Sequence, residues 1–181
     1  MRKTLLLVAV MGLAFGSVAT AAVQQGDTEL EFLGGWFTAN TDTEDVGDTD
    51  IIFATGALGY FLTDNLQVAG AALGAWTEVG NADTDLYALG GRAKWHFMPS
   101  NQWVPYVGGQ LFWGNIESAG SDTDATLWGP IAGLRYELNA YNDFFAEYQY
   151  HVWEDEIRST SDGLGFDDGH ALFLGIIHQF K

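Results

Sequence analysis

Alternation of apolar and polar residues, sustained over eight stretches, is the feature that most restricts what this chain can fold into. Downstream of residue 27 helical periodicity is absent, and side chains alternate with period two, as in half-buried β-strands. We predict eight strands: Thr28–Ala39, Ile51–Leu62, Leu66–Thr77, Leu86–Phe97, Trp103–Asn115, Thr126–Leu138, Phe144–Asp155 and His170–Phe180. They have 11 to 13 residues each, longer than strands of soluble sheets and long enough, when tilted, to cross a bilayer.

The connections between these strands are of two kinds. Three are tight turns, at Thr63–Asn65, Met98–Gln102 and Asn139–Asp143. Four are polar, acidic loops, at Asn40–Asp50, Glu78–Asp85, Ile116–Ala125 and Glu156–Gly169. Short turns at one end and longer loops at the other are typical of a transmembrane barrel. The predicted fold is therefore all-β, an eight-stranded antiparallel up-and-down transmembrane β-barrel.

Composition excludes several classes of protein. The 181 residues carry 7 Lys and Arg against 24 Asp and Glu, a net charge of −17, so there is no basic face for nucleic acid. The chain has no cysteine, which excludes disulfides, thiolate metal sites and a cysteine nucleophile. High aromatic content argues against a disordered polyanion.

The first 22 residues are expected to be a signal peptide. A basic start at Met1–Lys3 precedes an apolar run, Thr4–Phe15, and small residues ending at Ala19–Ala22 offer a cleavage site after Ala21 or Ala22. The alternative, an N-terminal membrane anchor, needs a run of roughly 20 apolar residues. We therefore divide the chain into a signal peptide, 1–22, and a barrel domain, 23–181.

The two faces of the strands decide between a membrane barrel and a soluble, lipocalin-like one. One face carries polar residues, which we assign to a lumen network: Glu29, Glu31, Arg92, Lys94, Gln110, Arg135, Glu137, Glu147, Gln149 and His151. The other face carries aromatic residues near strand ends, which we assign to girdles: Trp36, Tyr60, Trp76, Tyr87, Trp95, Trp103, Trp113, Trp128, Tyr136 and Phe180. More than a dozen aromatic rings would not fit inside eight strands, so the aromatic face is expected to meet lipid.

The inward charges are expected to form a closed polar core, because buried charge is tolerable only when it is paired. Counting back from the last turn places Arg135 roughly opposite Glu147, and Glu31 lies at a depth similar to that of Lys94. The alternative interpretation is a gated polar path through the barrel.

Acidic residues crowd the predicted loops. The triplets ahead of three strands offer oxygen ligands that suit weakly bound Ca²⁺ or Mg²⁺, at Asp48, Asp50, Asp83, Asp85, Asp122 and Asp124. No EF-hand pattern is present. The alternative is a solvated, self-repelling surface.

The signal peptide, the eight alternating strands, the girdles and the aromatic last strand together resemble the small OmpA/OmpX-type outer-membrane barrels. The resemblance implies a bacterial outer-membrane protein, inserted by the barrel assembly machinery, in contact with lipopolysaccharide and monomeric. In that family the last residue is usually the aromatic one that the machinery recognises, whereas here Phe180 is followed by Lys181.

A structural or surface-interaction role without catalysis is the expected function, and no cofactor is expected beyond the loop cations. The alternative is a narrow channel or carrier for small solutes. A lipid A-modifying enzyme needs a serine within reach of a histidine, and His151 has no neighbouring serine. A soluble lipocalin-like ligand binder is the remaining alternative.

Overall fold

The chain folds into a closed barrel of eight antiparallel strands, each paired with the next and the last with the first. The structure, a computed structural model, describes residues 23–39, 49–79, 82–118, 121–154 and 168–180, with only the backbone described at several strand ends. The strands are β1 Thr28–Ala39, β2 Thr49–Phe61, β3 Leu66–Val79, β4 Ala82–His96, β5 Trp103–Ser118, β6 Ser121–Glu137, β7 Asn142–Glu154 and β8 Asp168–Phe180. The eight-stranded barrel predicted from alternation is confirmed. Within the described ranges, no helix is long and apolar enough to cross a membrane.

The strands reach further towards the loop end than alternation predicts. The predicted loop Glu78–Asp85 lies almost wholly on β3 and β4, whose ladder runs to the pair Val79 and Ala82. The predicted loop Ile116–Ala125 likewise lies on β5 and β6, paired up to Ser118 and Ser121. These two loop predictions were wrong because both faces of a strand are in water beyond the apolar band, so alternation ends before the strand does. Residues 40–48 and 156–167, in the other two predicted loops, Asp155 at the end of the predicted seventh strand, and the predicted signal peptide lie outside the described residues.

The barrel has its large apolar side chains on the outside. The exposed set includes side chains from all eight strands: Phe32, Leu58, Tyr60, Val68, Trp76, Tyr87, Leu89, Trp95, Trp103, Val107, Leu111, Trp113, Trp128, Leu134, Phe144, Tyr148, Leu172, Leu174 and Phe180. The buried set contains every described acidic and basic side chain of the inward face. An exterior of this kind is favourable in hydrocarbon and unfavourable in water.

The lumen has two halves of different chemistry. The polar half, nearer the turns, holds the buried charged and amide side chains, among them Glu31, Lys94 and Arg135. The apolar half, nearer the loops, is an aliphatic and aromatic cluster formed by Ala57, Ala69, Ala71, Leu73, Ala75, Leu86, Ala88, Phe112, Ala125 and Leu127, with Phe53 and Ile116 packed against it. The sequence analysis expected a polar core and did not predict this apolar layer. The sequence did contain a signal for this layer: Phe112 is two residues from Gln110 on β5, so both side chains point into the lumen.

The opposite orientation of neighbouring side chains on β5 gives a testable prediction about which of them meets lipid. Trp113 is exposed and its neighbour Phe112 is buried, so the two positions point to opposite sides of one strand. We compare two single-tryptophan variants in bilayers with bromine-labelled lipid chains, one retaining Trp113 and one with Phe112→Trp, the other tryptophans being replaced by Phe. Bromine quenches fluorescence at short range, so strong quenching is expected for Trp113 and weak quenching for residue 112. Equal quenching of the two would contradict the inside-out barrel.

Candidate functional site in the barrel lumen

The structure places all ten lumen residues named from the sequence inside the barrel. Their exposed fractions are 6% or less, and three carboxylates, Glu29, Glu31 and Glu147, are at 0%. They come from β1, β4, β5, β6 and β7, and long side chains from these strands meet across a lumen narrow enough for facing walls to touch.

Four charges form an alternating ring at the centre of the polar half. Arg92 on β4 contacts Glu31 on β1, at 3.2 Å between Nη1 and Oε2, and Glu147 on β7. Lys94 contacts the same two carboxylates, with its Nζ 2.6 Å from Glu31 Oε2 and 3.7 Å from Glu147 Oε2. Each cation thus has two anions and each anion two cations, which offsets the desolvation that a single buried pair would suffer. We call these four residues the charge ring.

A second ion cluster lies below the charge ring, towards the turns. Arg135 on β6 contacts Glu29 of β1, at 2.6 Å between Nη2 and Oε1, and Asp143 at the start of β7. The predicted pairing of Arg135 with Glu147 was wrong: Arg135 lies opposite Phe145 in the ladder, and Glu147 lies opposite Gly133, further from the turn. Depth along the strand therefore assigns Arg135 to the lower carboxylates and Glu147 to the charge ring.

Amide side chains join the two clusters. Gln67 Nε2 on β3 donates to Glu29 Oε2 and to Glu31 Oε1, both at 2.9 Å. It does so by lying across β2 at Gly59, where a Cβ would collide with its amide. Above the ring, Gln149 donates to Glu147 Oε1 at 2.6 Å and accepts from Gln110 at 3.0 Å.

Tyr106 reaches Glu147 by a similar route. Its hydroxyl donates to Glu147 Oε2 at 2.8 Å, from β5 to β7. The ring lies over Gly133 on the strand between them, and a Cβ there would collide with the phenol. Absence of a side chain at Gly133 is therefore required for this contact.

Besides Gln67, three members of the network are absent from the ten lumen residues predicted from the sequence. Asp143 was assigned to a turn, but it is the second residue of β7, is fully buried, and accepts a hydrogen bond from Gln179 at 2.9 Å. Tyr106 and Gln179 are also buried in the lumen. Strand parity would have found both, since Tyr106 is four residues from Gln110 and Gln179 is two from the buried Ile177.

The exterior aromatic residues lie near the two ends of the strands. Tyr60, Trp95, Trp103 and Phe180 are exposed at the turn end, where Tyr136, half-buried, packs on Trp103 with 4.5 Å between centroids. Trp76, Tyr87, Trp113 and Trp128 are exposed nearer the loop end. Trp76 donates from Nε1 to the Tyr87 hydroxyl at 3.3 Å. The side chain of Trp36 lies outside the described residues.

The residues named as cation ligands are on strands, apart from Asp48, which lies outside the described residues. Asp85 stands directly opposite Glu117, and Glu117 opposite Asp122, across three adjacent strands. Asp50, Glu78 and Asp83 form a second row of the same kind. Asp124 accepts from Asn115 at 3.1 Å. Among the side chains that the structure describes, no three acidic or histidine residues are grouped as a metal site.

A closed barrel with apolar belts outside and a paired polar interior defines an outer-membrane type of β-barrel. Residues 6–176 match the family described as outer membrane protein beta-barrel domain. The chain belongs to this family and is therefore a protein of the bacterial outer membrane, embedded in its lipid bilayer.

Solved structures show the same fold. Neisserial surface protein A (NspA) superposes with a TM-score of 0.60 at 17% identity, covering 86% of this chain and 96% of NspA. The N-terminal beta-barrel domain of Pseudomonas aeruginosa OprF gives 0.54 at 23% identity, with 87% and 99% covered. OprG from Pseudomonas aeruginosa gives 0.52 at 12% identity, with 88% and 98% covered. No curated protein matches the chain.

The charge ring generates a prediction about stability. Replacing Glu147→Ala leaves Arg92 and Lys94 to share Glu31 and removes the acceptor of Tyr106. We expect a loss of about 3–5 kcal/mol in the free energy of unfolding, since one partner of a buried ion cluster is removed. Urea unfolding in lipid vesicles measures it.

The matched control for this prediction is Glu117→Ala, which removes an exposed carboxylate from the barrel exterior. Its free energy of unfolding is expected to stay unchanged or to rise. Equal losses in the two variants would mean that the ring contributes nothing beyond ordinary surface charge.

Proposed function

We propose that this protein is a non-catalytic, monomeric barrel with a structural or surface-interaction role, whose lumen is closed to ions. The observation that carries the proposal is the charge ring, which spans the lumen from β1 through β4 to β7 with paired charges. An ion entering the charge ring would have to separate charged side chains that are in contact with one another.

The apolar half of the lumen supports the same function. Leu73, Leu86, Phe112 and Leu127 are buried where a water-filled pore would need polar walls. Hydrated ions are excluded from such a layer because it offers no replacement for their water. Polar ring and apolar layer lie in series along the barrel, so a solute would have to cross both.

The histidines support a non-catalytic role. His170 stacks on Tyr148, with 6.3 Å between centroids, and His178 Nδ1 lies 2.9 Å from Asn142 Oδ1. His151 Nε2 lies 2.7 Å from Gln149 Oε1 inside the lumen. These contacts are with aromatic and amide groups, and none of them is with a serine hydroxyl, which a lipid A-modifying site of the serine–histidine type would need.

Planar-bilayer conductance tests the closed lumen. We expect no steady openings from the inserted wild-type protein, because polar and apolar layers both obstruct the path. The variant Asp85→Asn with Glu117→Gln changes charge outside the lumen, and it should be equally silent. Steady openings of the wild type would favour the alternative function, a narrow channel or carrier for small solutes.

The acidic rows at the loop end give the protein its proposed surface chemistry. We place this end outside the cell, with both termini on the periplasmic side. Carboxylates directly opposite one another destabilise a sheet, and Asp85, Glu117 and Asp122 occupy successive positions of one row. Weakly bound Ca²⁺ or Mg²⁺ would relieve this repulsion and bridge the rows to the anionic groups of lipopolysaccharide.

Divalent dependence tests this surface chemistry. Without divalent ions, the Asp85→Asn with Glu117→Gln variant should have a higher Tm than wild type, because like charges are removed. Added Mg²⁺ should raise the Tm of the wild type more than that of the variant. Sodium chloride of equal ionic strength is the control, since it screens charge without bridging. The same Tm gain in sodium as in magnesium would reject bridging.

Insertion by the barrel assembly machinery belongs to the same proposal. The last strand ends at an exposed Phe180, which pairs with Thr28 where the barrel closes. An aromatic residue at the end of β8 is thus on the outer surface of the closing strand.

A further inference from the structure

The five residues ahead of β1 lie at the turn end of the barrel and reach from β1 to the β4–β5 turn. On the way they pass the β2–β3 turn, where the Gln25 backbone N–H donates to Asp64 Oδ1 at 2.9 Å. At the far end the Val23 N–H donates to the Pro99 carbonyl oxygen at 3.4 Å. Since β1 and β5 are on opposite sides of an eight-stranded barrel, a segment that joins β1 to the β4–β5 turn spans the mouth of the lumen. We call residues 23–27 the strap.

The first residue of the strap is a buried apolar side chain. Val23 is 2% exposed. Among the described residues outside the strands, the other buried one is Asn139, whose side-chain oxygen accepts hydrogen bonds from two amides of its own turn. The next residues of the strap, Gln24 and Gln25, are exposed. Val23 therefore faces the barrel, while the two glutamines face water.

The lumen side chains nearest this mouth are shielded from water although they lie at strand ends. Phe61 ends β2, His96 ends β4 and Val104 is the second residue of β5. Their exposed fractions are 0%, 1% and 0%. Phe61 also packs on His96, with 5.2 Å between ring centroids. Side chains at the last level of an open barrel would meet water, so the strap and these three residues close the mouth together.

The ion cluster of Arg135 lies directly behind this closure. We call Arg135, Glu29 and Asp143, which form its ion pairs, the lower cluster. All three residues are 0% exposed, and Val104 at the mouth is the ladder partner of Arg135. The charge ring bounds the same compartment on the side of the loops. The strap therefore separates a charged, enclosed compartment from the water at the turn end.

The strap is tied to the two turns by single hydrogen bonds. The bond to Asp64 is exposed, so water can replace it at little cost. At the other end of the strap, Gly26 and Asp27 are paired with Phe61 by two backbone hydrogen bonds of 2.9 and 3.0 Å. Gly26 has a φ of +95°, a conformation that favours glycine, although a Cβ there would have no atom within 4 Å. Residues 23–25 can therefore swing about Gly26 without breaking a strand ladder.

We propose that the strap is a lid on the turn-end mouth, with Val23 as its stopper and Gly26 as its hinge, and that its release admits small water-soluble molecules to the lower cluster. Release breaks the bonds to Asp64 and Pro99 and leaves the barrel ladders intact. The charge ring and the apolar half of the lumen still lie between the opened compartment and the loop end. An opening lid is therefore compatible with a lumen that conducts no ions.

The experiment uses the absence of cysteine from the chain. A reporter, Val104→Cys, is placed beside Arg135, behind the strap. A small, positively charged methanethiosulfonate reagent is added to the folded protein in phosphatidylcholine nanodiscs, where both ends of the barrel meet the solution. Mass spectrometry follows adduct formation. A second reporter, Ala71→Cys in the apolar half, measures whether the reagent passes the charge ring.

The strap is loosened by Asp64→Ala, which removes the acceptor of the Gln25 amide. The matched control is Thr63→Ala in the same turn, because the Thr63 hydroxyl accepts from amides of that turn and not from the strap. We expect Asp64→Ala to raise the labelling rate of the Val104→Cys reporter several-fold and Thr63→Ala to leave it unchanged. The Ala71→Cys reporter should stay unlabelled in every variant.

Four results would overturn the lid. They are labelling behind an intact strap as fast as in the unfolded chain, equal acceleration by the two turn variants, acceleration at residue 71 as well, and no acceleration even when Val23→Gly is added to Asp64→Ala. Should the Val104→Cys reporter fail to fold, His96→Cys at the same mouth takes its place, since His96 is equally shielded from water.

Discussion

The structure depends on one requirement, that backbone amides and carbonyls in hydrocarbon be paired with one another. A sheet meets it by closing on itself, and here each strand pairs with the next until β8 returns to β1. Closure with eight strands sets the width of the lumen, and the width brings side chains from facing walls into contact. Because side chains alternate along each strand, the same closure sends one set to lipid and the other to the interior.

The interior then has to pair the charged side chains that it encloses. Among the described lumen residues, five carboxylates, those of Glu29, Glu31, Glu137, Asp143 and Glu147, accompany three cations, Arg92, Lys94 and Arg135. The cations bridge carboxylates of different strands, so ion pairs tie together strands that are not neighbours in the sheet. Small residues make the bridges possible, since Gln67 and Tyr106 each cross an intervening strand at a glycine.

The backbone pairing that closure requires is shorter at the β1–β8 seam than between the other neighbouring strands. Elsewhere the described ladders run towards the ends of the strands, as at Val79 with Ala82 and Ser118 with Ser121. At the seam the described pairs stop at Gly34 and Leu174, although the Leu172 carbonyl oxygen stays close to Gly35 and the Phe173 ring packs over Gly35 from the lumen.

The sequence by itself determined the class of fold and the side of the barrel on which the ten predicted lumen residues and the described girdle residues lie. Period-two alternation over long strands leaves few alternatives, and parity assigned Arg92 to the lumen and Trp113 to the exterior. It could not determine where the outer ends of β3 to β6 stop, because alternation carries no information once both faces are in water. Tertiary structure decided the partners: Arg135 binds Glu29 and Asp143 and not Glu147, and the ladder of the closing seam ends halfway. Contacts across a lumen depend on the stagger between strands distant in sequence, and that stagger is set only when the barrel closes.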